Sequence, residues 1–536
     1  MAYAHDYLNA VLHRARDGMP PLGFQPDWAD APRQTKLYRG LDIIELPVTS
    51  AGVPESDALL RDAFSPPAKG GSAGFTLDLL SGMLLESYGR LSRRIEINAN
   101  DDLDKIQSYS SAKFSRGTAS GGGLYPVSIY WVAGPSAPVP PGVYYYSSPH
   151  HGLQRLLSGD VSGQVAEALA AGGEPAVDTD QFMLLGLKFW QNAFKYNSFS
   201  YHATTMDIGT VTQSWRQWSG ARGLDIRPAF WFDEPRLGEL IGVRPDDEGI
   251  FAVVPLAWAG TRLPRPAATV PTRSSVTHTD EERSRTVLQF ETLQAIHTDT
   301  LTGAGLRPDA QTLEAARALP PRVAERIPLE PAEFGEVSLG DALRGRRSSF
   351  GGFSSVRALS RGELGSLLTA AERGAALPCD LSPAADQGLG LVKFCVFVNH
   401  VEGIEPGSYE YDPKQSALAP VKTGSCGTFL QRNYFLNNYN VEQAAAVIVP
   451  VIRGDAVIDA VGPRGYRLIN ALTGAVAQAL YTSAAGLGIG CGAALGFDNI
   501  SYMEELGLTE TREMPLLMLM IGHERGGHAG CRFENG

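Results

Sequence analysis

The chain contains a copy of itself, and that repetition limits its architecture more than any other feature. The stretch "YHATTMDIGTVTQSWRQWSGARGLDIRPAFWFDEPRLGELIGV" (201–243) aligns without a gap with "YRLINALTGAVAQALYTSAAGLGIGCGAALGFDNISYMEELGL" (466–508), at an offset of 265 residues. Identities include Tyr201/Tyr466, Gly209/Gly474, Gln213/Gln478, Phe232/Phe497, Asp233/Asp498 and Gly242/Gly507. The same offset pairs "GVYYYSS" (142–148) with "GSYEYDP" (407–413). It also lays "FSRGTASGGGLYPVSIYWVAG" (114–134) over the region of "DLSPAADQGLGLVKFCVFV" (380–398). One offset held across three separate segments points to duplication and fusion, and so to two like domains.

Each copy alternates helical and strand patterns. Residues 201–219 and 466–485 are long helices, apolar or small nearly all round, and therefore expected to be buried. Strands are expected at 127–133, 143–147, 250–256, 392–398, 445–451 and 515–521, which makes the class α+β. The expected organisation is an N-terminal extension (1–60), domain 1 (61–265), a structured connector (266–330), domain 2 (331–525) and a tail (526–536). "MAYAHDYLNAVLHRARDG" patterns as an amphipathic helix and "KLYRGLDIIELP" as an extended segment. Within the connector, "DEERSRTVLQFETLQAIHTDTL" patterns as a helix.

Composition removes several classes of function. Charged residues are 19% of the 536 and the net charge is −12, which disfavours nucleic acid and anionic membrane as partners. The N-terminus lacks the apolar core of a signal peptide, and no apolar run is long enough to span a bilayer. The five cysteines (379, 395, 426, 491, 531) form no CxxC pair, consistent with a reducing cytoplasm and with no metal centre. His523, His528 and Cys531 fall in the expected tail, and His150-His151 follows Pro149 at a turn, so neither set is assigned a metal. "AAGLGIG" (484–490) ends a helix without Rossmann spacing.

The copies have diverged in a complementary way. The second carries Arg346, Arg347 and Ser348 in "LRGRRSSFGGF", a donor set suited to phosphate. Aligning Leu84-Leu85 with Leu367-Leu368 puts "AFS" (63–65) opposite it. The first copy keeps the bare turn Ser120-Gly121-Gly122, where the second has Ala385-Asp386-Gln387. "GLGIGCGAALGFD" (486–498) is glycine-rich, whereas its counterpart "ARGLDIRPAFWFD" is bulky and charged. Each copy thus holds half of one shared site.

In order, "RRSSF", "ASGGGLYPVSIYWV", "GVYYY"/"GSYEY", "FKYNSFSY" and "GLGIGCGAALGFD" followed by "EELGL" resemble the nitroreductase-like flavoproteins. Within them the chain is most similar to the SagB-type thiazoline/oxazoline dehydrogenases of ribosomal peptide biosynthesis, in the fused two-copy form of thiopeptide pathways. The resemblance covers about 60–262 and 330–525. It implies tandem nitroreductase-like domains closing as an intramolecular pseudo-dimer over one FMN. Domain 2 would supply Arg346, Arg347, Ser348, Leu495 and Gly496, and domain 1 would supply Arg116, Ser120, Gly121 and Gly122. Arg525 would be a second phosphate contact. Ala119 stands where the family has proline. His202 stands where it often has arginine and receives no role.

The resemblance further implies an FMN-dependent oxidoreductase that converts thiazolines or oxazolines of a precursor peptide to thiazoles or oxazoles, with the flavin reoxidised by dioxygen. Cyclodehydratase proteins would be its associates, and further homodimerisation stays open. Lys195-Tyr196 matches the family's catalytic pair, and the second copy has Ala460-Val461 there. A tyrosine beside an ammonium is the better proton acceptor at neutral pH, with the reverse assignment open. Two alternatives remain at this level: an NAD(P)H-dependent nitro/quinone reductase, and a non-catalytic scaffold in a biosynthetic complex.

Overall fold

In the computed structural model, residues 2–48, 58–64, 74–100, 102, 105–109, 113–173, 177–261, 274–331, 334–383, 387–526 and 530–534 are described. Ser65 and the Ala385-Asp386 pair lie outside them. The 265-residue offset recurs in the element boundaries themselves. Val127–Ala133, Gly142–Ser147 and Gly152–Ser158 return as Val392–Val398, Gly407–Asp412 and Ala417–Thr423. Gln181–Lys188 returns as Ala446–Ile452, and the helix Ser200–Gly220 as Gly465–Gly486.

The first copy's sheet runs Ile44–Glu45, Gly152–Ser158, Gly142–Ser147, Val127–Ala133, Gln181–Lys188, Glu248–Pro255, antiparallel throughout. The second repeats that order through Ile327–Pro328, Ala417–Thr423, Gly407–Asp412, Val392–Val398, Ala446–Ile452, Met518–Gly522 and Gly490–Ala494. Val127–Ala133 is buried at all seven positions because helices cover both faces. Ile129 and Trp131 pack toward the central helix. Tyr130 and Val132 pack with Val165 and Leu169 of Ser162–Ala171 and with Leu237 and Leu240 of Glu234–Ile241. The architecture is mixed helix and sheet, built twice.

The two long helices form the spine. Counterparts touch across it: Asn470 Nδ2 donates to Thr205 Oγ1 at 2.7 Å and Thr482 Oγ1 to Gln217 Oε1 at 3.3 Å, both pairs being 265 apart. The pseudo-twofold axis therefore runs along this pair. At Gly209 and Gly474 the backbones approach so closely that a Cβ on either would stand 1.9 Å from a carbonyl oxygen of the other helix. The first helix is rich in hydroxyls yet buried along nearly its whole length. Thr204, Thr205, Thr212 and Ser214 each donate to the carbonyl four residues back, which satisfies them without water.

Two segments differ from expectation. The connector helix spans only Glu291–Leu301. Residues 280–285 are instead tied out as a strap: Lys188 pairs with Asp280 and Glu282, and Arg285 and Thr286 donate backbone N–H to Asp30. The expected tail contains a strand, Gly530–Glu534, which pairs with Ser92–Asn100 of the first copy. The N-terminal helix Tyr3–His13 also bridges the copies, with Tyr7 bonded to the Ser198 carbonyl and His5 to Asp455. Among the described residues no helix is long and apolar enough to cross a membrane.

Candidate active site at the seam between the copies

The bare turn sits directly against the spine. Helices of both copies grip its entry: the Ala119 N–H donates to Gln478 Oε1 (2.8 Å), Gln478 Nε2 donates to the Gly117 carbonyl (3.0 Å), and Thr210 Oγ1 donates to the Ala119 carbonyl (2.8 Å). Ala119 packs within the second copy's core. Asp207 then anchors the turn, accepting from Ser120 Oγ at 2.6 Å and from the Gly121 N–H at 2.9 Å. Gly122 has φ +66° and faces outward. A Cβ there would lie 2.2 Å from the Tyr196 hydroxyl. Glycine is thus required twice over, by the left-handed backbone and by the phenol packed on it.

Tyr196 ends the short helix Trp190–Tyr196, and Asn197 (φ 44°) turns the chain sharply after it. Lys195 Nζ lies 4.6 Å from the Tyr196 ring centroid and 5.9 Å from that of the exposed Trp28. The sequence-predicted pair and the sequence-predicted turn therefore meet in one place. Tyr434 of the second copy faces them. Burial, then the neighbouring hydroxyls of Tyr481 and Tyr196, push its own hydroxyl well up, so it is a neutral donor at pH 7.

The arginine segment arrives from the other side. Arg346 Nη2 donates to the Arg116 carbonyl at 2.9 Å and its guanidinium lies 5.3 Å from the Tyr481 ring centroid, so this arginine clasps the two copies together. Arg347 is 38% exposed and pairs with Glu524. Ser348 Oγ meets the Tyr481 hydroxyl at 2.9 Å, and that hydroxyl also accepts the Ala493 N–H at 2.8 Å. Tyr481 thus ties this segment to the glycine-rich strand Gly490–Ala494. Burial, ahead of the nearby Cys491, lifts its pKa to about 12, so it too stays protonated. Arg525 pairs with Asp102.

Leu495 and Gly496 close the site. The Leu495 carbonyl accepts from Arg14, and the Gly496 carbonyl accepts the Phe435 N–H. A Cβ on Gly496 would meet only the Leu436 and Tyr434 side chains, at 3.4 Å or more. Arg116 stands behind the turn: its guanidinium donates to the Tyr88 carbonyl and lies 4.7 and 4.1 Å from the ring centroids of Tyr88 and Tyr125. Sequence reasoning overlooked Asp207, Gln478, Tyr434 and Tyr481. Asp207 carried a signal, because its counterpart at the same offset is Leu472.

The pseudo-equivalent location is blocked. The counterpart of Gly496 is Trp231, only 1% exposed, and that of Leu495 is Phe230. Asp380 Oδ2 accepts the backbone N–H of both, and Arg227 donates to the Cys379 and Ser382 carbonyls. Ala63 and Phe64 fill the places aligned with Arg346 and Arg347, both buried.

Residues 343–523 match the model described as the Nitroreductase family. A crystal structure from Anabaena variabilis, assigned to the nitroreductases, superposes over 98% of this chain and 100% of its own, with a TM-score of 0.72 and 22% identity. The fold is that of the nitroreductases, in tandem. A nitroreductase-assigned structure from Ralstonia eutropha matches 40% of this chain and 99% of its own (TM-score 0.29, 21% identity). The Escherichia coli microcin synthetase McbBCD complex with truncated pro-MccB17 matches 32% of this chain and 66% of its own (TM-score 0.26, 18% identity). No curated protein matches this chain. The nitroreductase family generally binds FMN and comprises flavin-dependent oxidoreductases.

The residues at the seam fit that cofactor. Arg347, Ser348 and Arg525 carry groups of the kind that donate to phosphate, and the Ser349 hydroxyl is buried with no hydrogen-bond partner among the described residues. Gly496 leaves a side-chain-free wall against which a planar ring could lie, and Gly122 is the position on which the Tyr196 phenol packs. Gly122 comes from the first copy, whereas Gly496 and the cationic side chains come from the second, so a ligand there would be shared between the copies.

Proposed function

We propose that the chain is an FMN-dependent dehydrogenase that oxidises thiazolines or oxazolines of a precursor peptide to the aromatic azoles. The observation that carries this is Tyr196 laid on Gly122, with Lys195 beside it. The ionisable pair stands at the wall where a flavin ring would be seated, in one copy only. When bound, FMN supplies two-electron acceptance from the substrate and passes the pair to dioxygen as hydrogen peroxide.

The chain's own groups do the rest. Removing two electrons and two protons from an azoline ring takes the Cα proton to a base and the Cβ hydrogen away as hydride. Tyr196 is the base in this reading, with Lys195 holding its phenolate or polarising the ring; the opposite assignment uses the same two atoms. Tyr434 and Tyr481, kept protonated by burial, do not serve as the base. Arg347, Ser348 and Arg525 would hold the cofactor phosphate. The apolar Leu436 and Leu495 would keep water from the ring face. Association with cyclodehydratase proteins belongs to the same proposal.

The test is a paired assay on the purified, FMN-loaded protein. An azoline-bearing peptide should lose two mass units per ring with stoichiometric peroxide. Consumption of NAD(P)H with quinones or nitroaromatics, without peptide oxidation, would identify a reductase instead. A protein that stays colourless with added FMN would identify a scaffold.

A further inference from the structure

Asp207 is 3% exposed and forms no ion pair among the described residues. It lies on the first copy's central helix at the level of the bare turn, and Leu472 shows that the other copy folds with a hydrocarbon at this position. A carboxyl group kept where an apolar residue suffices for packing calls for a local reason. That reason is geometric: both oxygens face the turn, one on Ser120 Oγ and one on the Gly121 N–H. Ser120 Oγ in turn accepts the Tyr125 N–H at 2.9 Å. Two bonds to the carboxylate and a third relayed through Ser120 Oγ thus fix residues 120 to 125, and Gly122, between them, carries the Tyr196 hydroxyl.

The surroundings contain little else that titrates. Tyr88, at the end of the helix Leu77–Tyr88, is raised by burial first and stays neutral. Arg116 lies beyond it and gives its guanidinium to the Tyr88 carbonyl. From the second copy's central helix comes Gln478, which is uncharged and bonded to Gly117 and Ala119. Lys195 and Tyr196 lie on the far side of Gly122.

We propose that Asp207 is a positioning residue for the seam site: ionised, it locks the Ser120–Gly122 turn, and taking up one proton releases it. Burial raises its pKa to about 7, against the opposing pull of the Ser120 and Gly121 bonds, so the transition falls near neutrality. Charge-assisted bonds to backbone N–H and hydroxyl weaken when the acceptor becomes neutral. The consequence for FMN, that affinity falls as the turn loosens, rests on the proposed function. The consequence for the turn does not.

Hydrogen exchange of the peptide spanning 118–125, corrected for intrinsic rate, tests the turn in the full chain without cofactor. In the wild type it should speed up roughly tenfold between pH 8 and pH 6. Asp207→Asn keeps the shape without the charge and should show the fast rate at both pH values. Asp207→Leu, which copies position 472, should do the same and guards against an Asn variant that misfolds. An unchanged wild-type rate, or a pH response retained by both variants, overturns the proposal. FMN titration by fluorescence quenching forms the second arm. If exchange switches but FMN never binds, the positioning role stands and the flavin pocket falls. If FMN binds while exchange stays flat, the pocket stands and the positioning role falls.

Discussion

At the scale of single residues, the site divides into groups that hold and groups that move protons, and substitutions should separate them. Tyr196→Phe removes a hydroxyl packed on Gly122 and keeps the ring, so binding should survive. Turnover should fall about 100-fold, with FMN affinity and fold unchanged, as steady-state kinetics beside a flavin titration would record. Arg347→Ala should do the reverse and weaken FMN binding by roughly 10- to 100-fold, since its guanidinium is partly free beyond Glu524. Asp207 sets a third pattern. Its carboxyl is harder to ionise in the folded chain than in the unfolded one. Between pH 4 and 7 the native state therefore holds the extra proton, and stability from this group declines as pH rises through that window. Asp207→Asn should thus stabilise the protein by an amount that grows from pH 5 to pH 8, up to about 4 kcal/mol. Chemical denaturation at the two pH values checks it. A gain in stability alongside a looser turn is the signature of strain kept for function.

At the scale of elements, the spine helices decide whether a seam exists at all. Their approach at Gly209 and Gly474 leaves no room for a methyl group, and the clash would be with backbone, which cannot rotate away. Gly209→Ala should cost about 3 kcal/mol and detach the bare turn from Gln478, seen as a lowered melting temperature together with lost FMN binding. These elements were also the most legible in the sequence. The strand Val392–Val398 and the helix Gly465–Gly486 fall within a residue of expectation, because a repeated apolar pattern states its own boundaries twice. The strap at 280–285 was illegible for the opposite reason. Its acidic and basic residues suit a solvated helix, and only the distant partners Asp30 and Lys188 pull them straight. Arg346 was legible as a cation but not as a clasp, since its acceptor is a backbone carbonyl of the other copy. Tyr481 had no signal, being one aromatic among many on a buried helix. Asp207 and Trp231 were within reach of the offset alone, because each breaks the chemical match with its counterpart.

At the scale of the whole molecule, the two copies share a fold but differ in side chains at equivalent positions of the seam. A symmetric pair of such domains would carry two equivalent sites on either side of the spine. Here one keeps Gly496 free of a side chain and the other is filled: Trp231 and Phe230 occupy the places of Gly496 and Leu495, and Asp380 fixes their backbone. The connector reinforces the closure. Glu234, buried, binds Arg464 at 2.8 Å and Arg467 at 2.7 Å, and Arg467 meets His297 of the connector helix at 3.1 Å. A buried charge cluster of this kind is costly to open, because separating any partner strands an ion away from water. The filled side should therefore stay shut, and FMN titration should saturate at one flavin per chain. Trp231→Gly should leave that ratio at one, since Arg227 is engaged by the Cys379 and Ser382 carbonyls, Asp380 presents a carboxylate, and buried Ala63 and Phe64 stand where the arginine pair would be. A ratio of two in either protein, measured by flavin absorbance against peptide concentration, would mean that the asymmetry is one of side chains only and that both halves still bind.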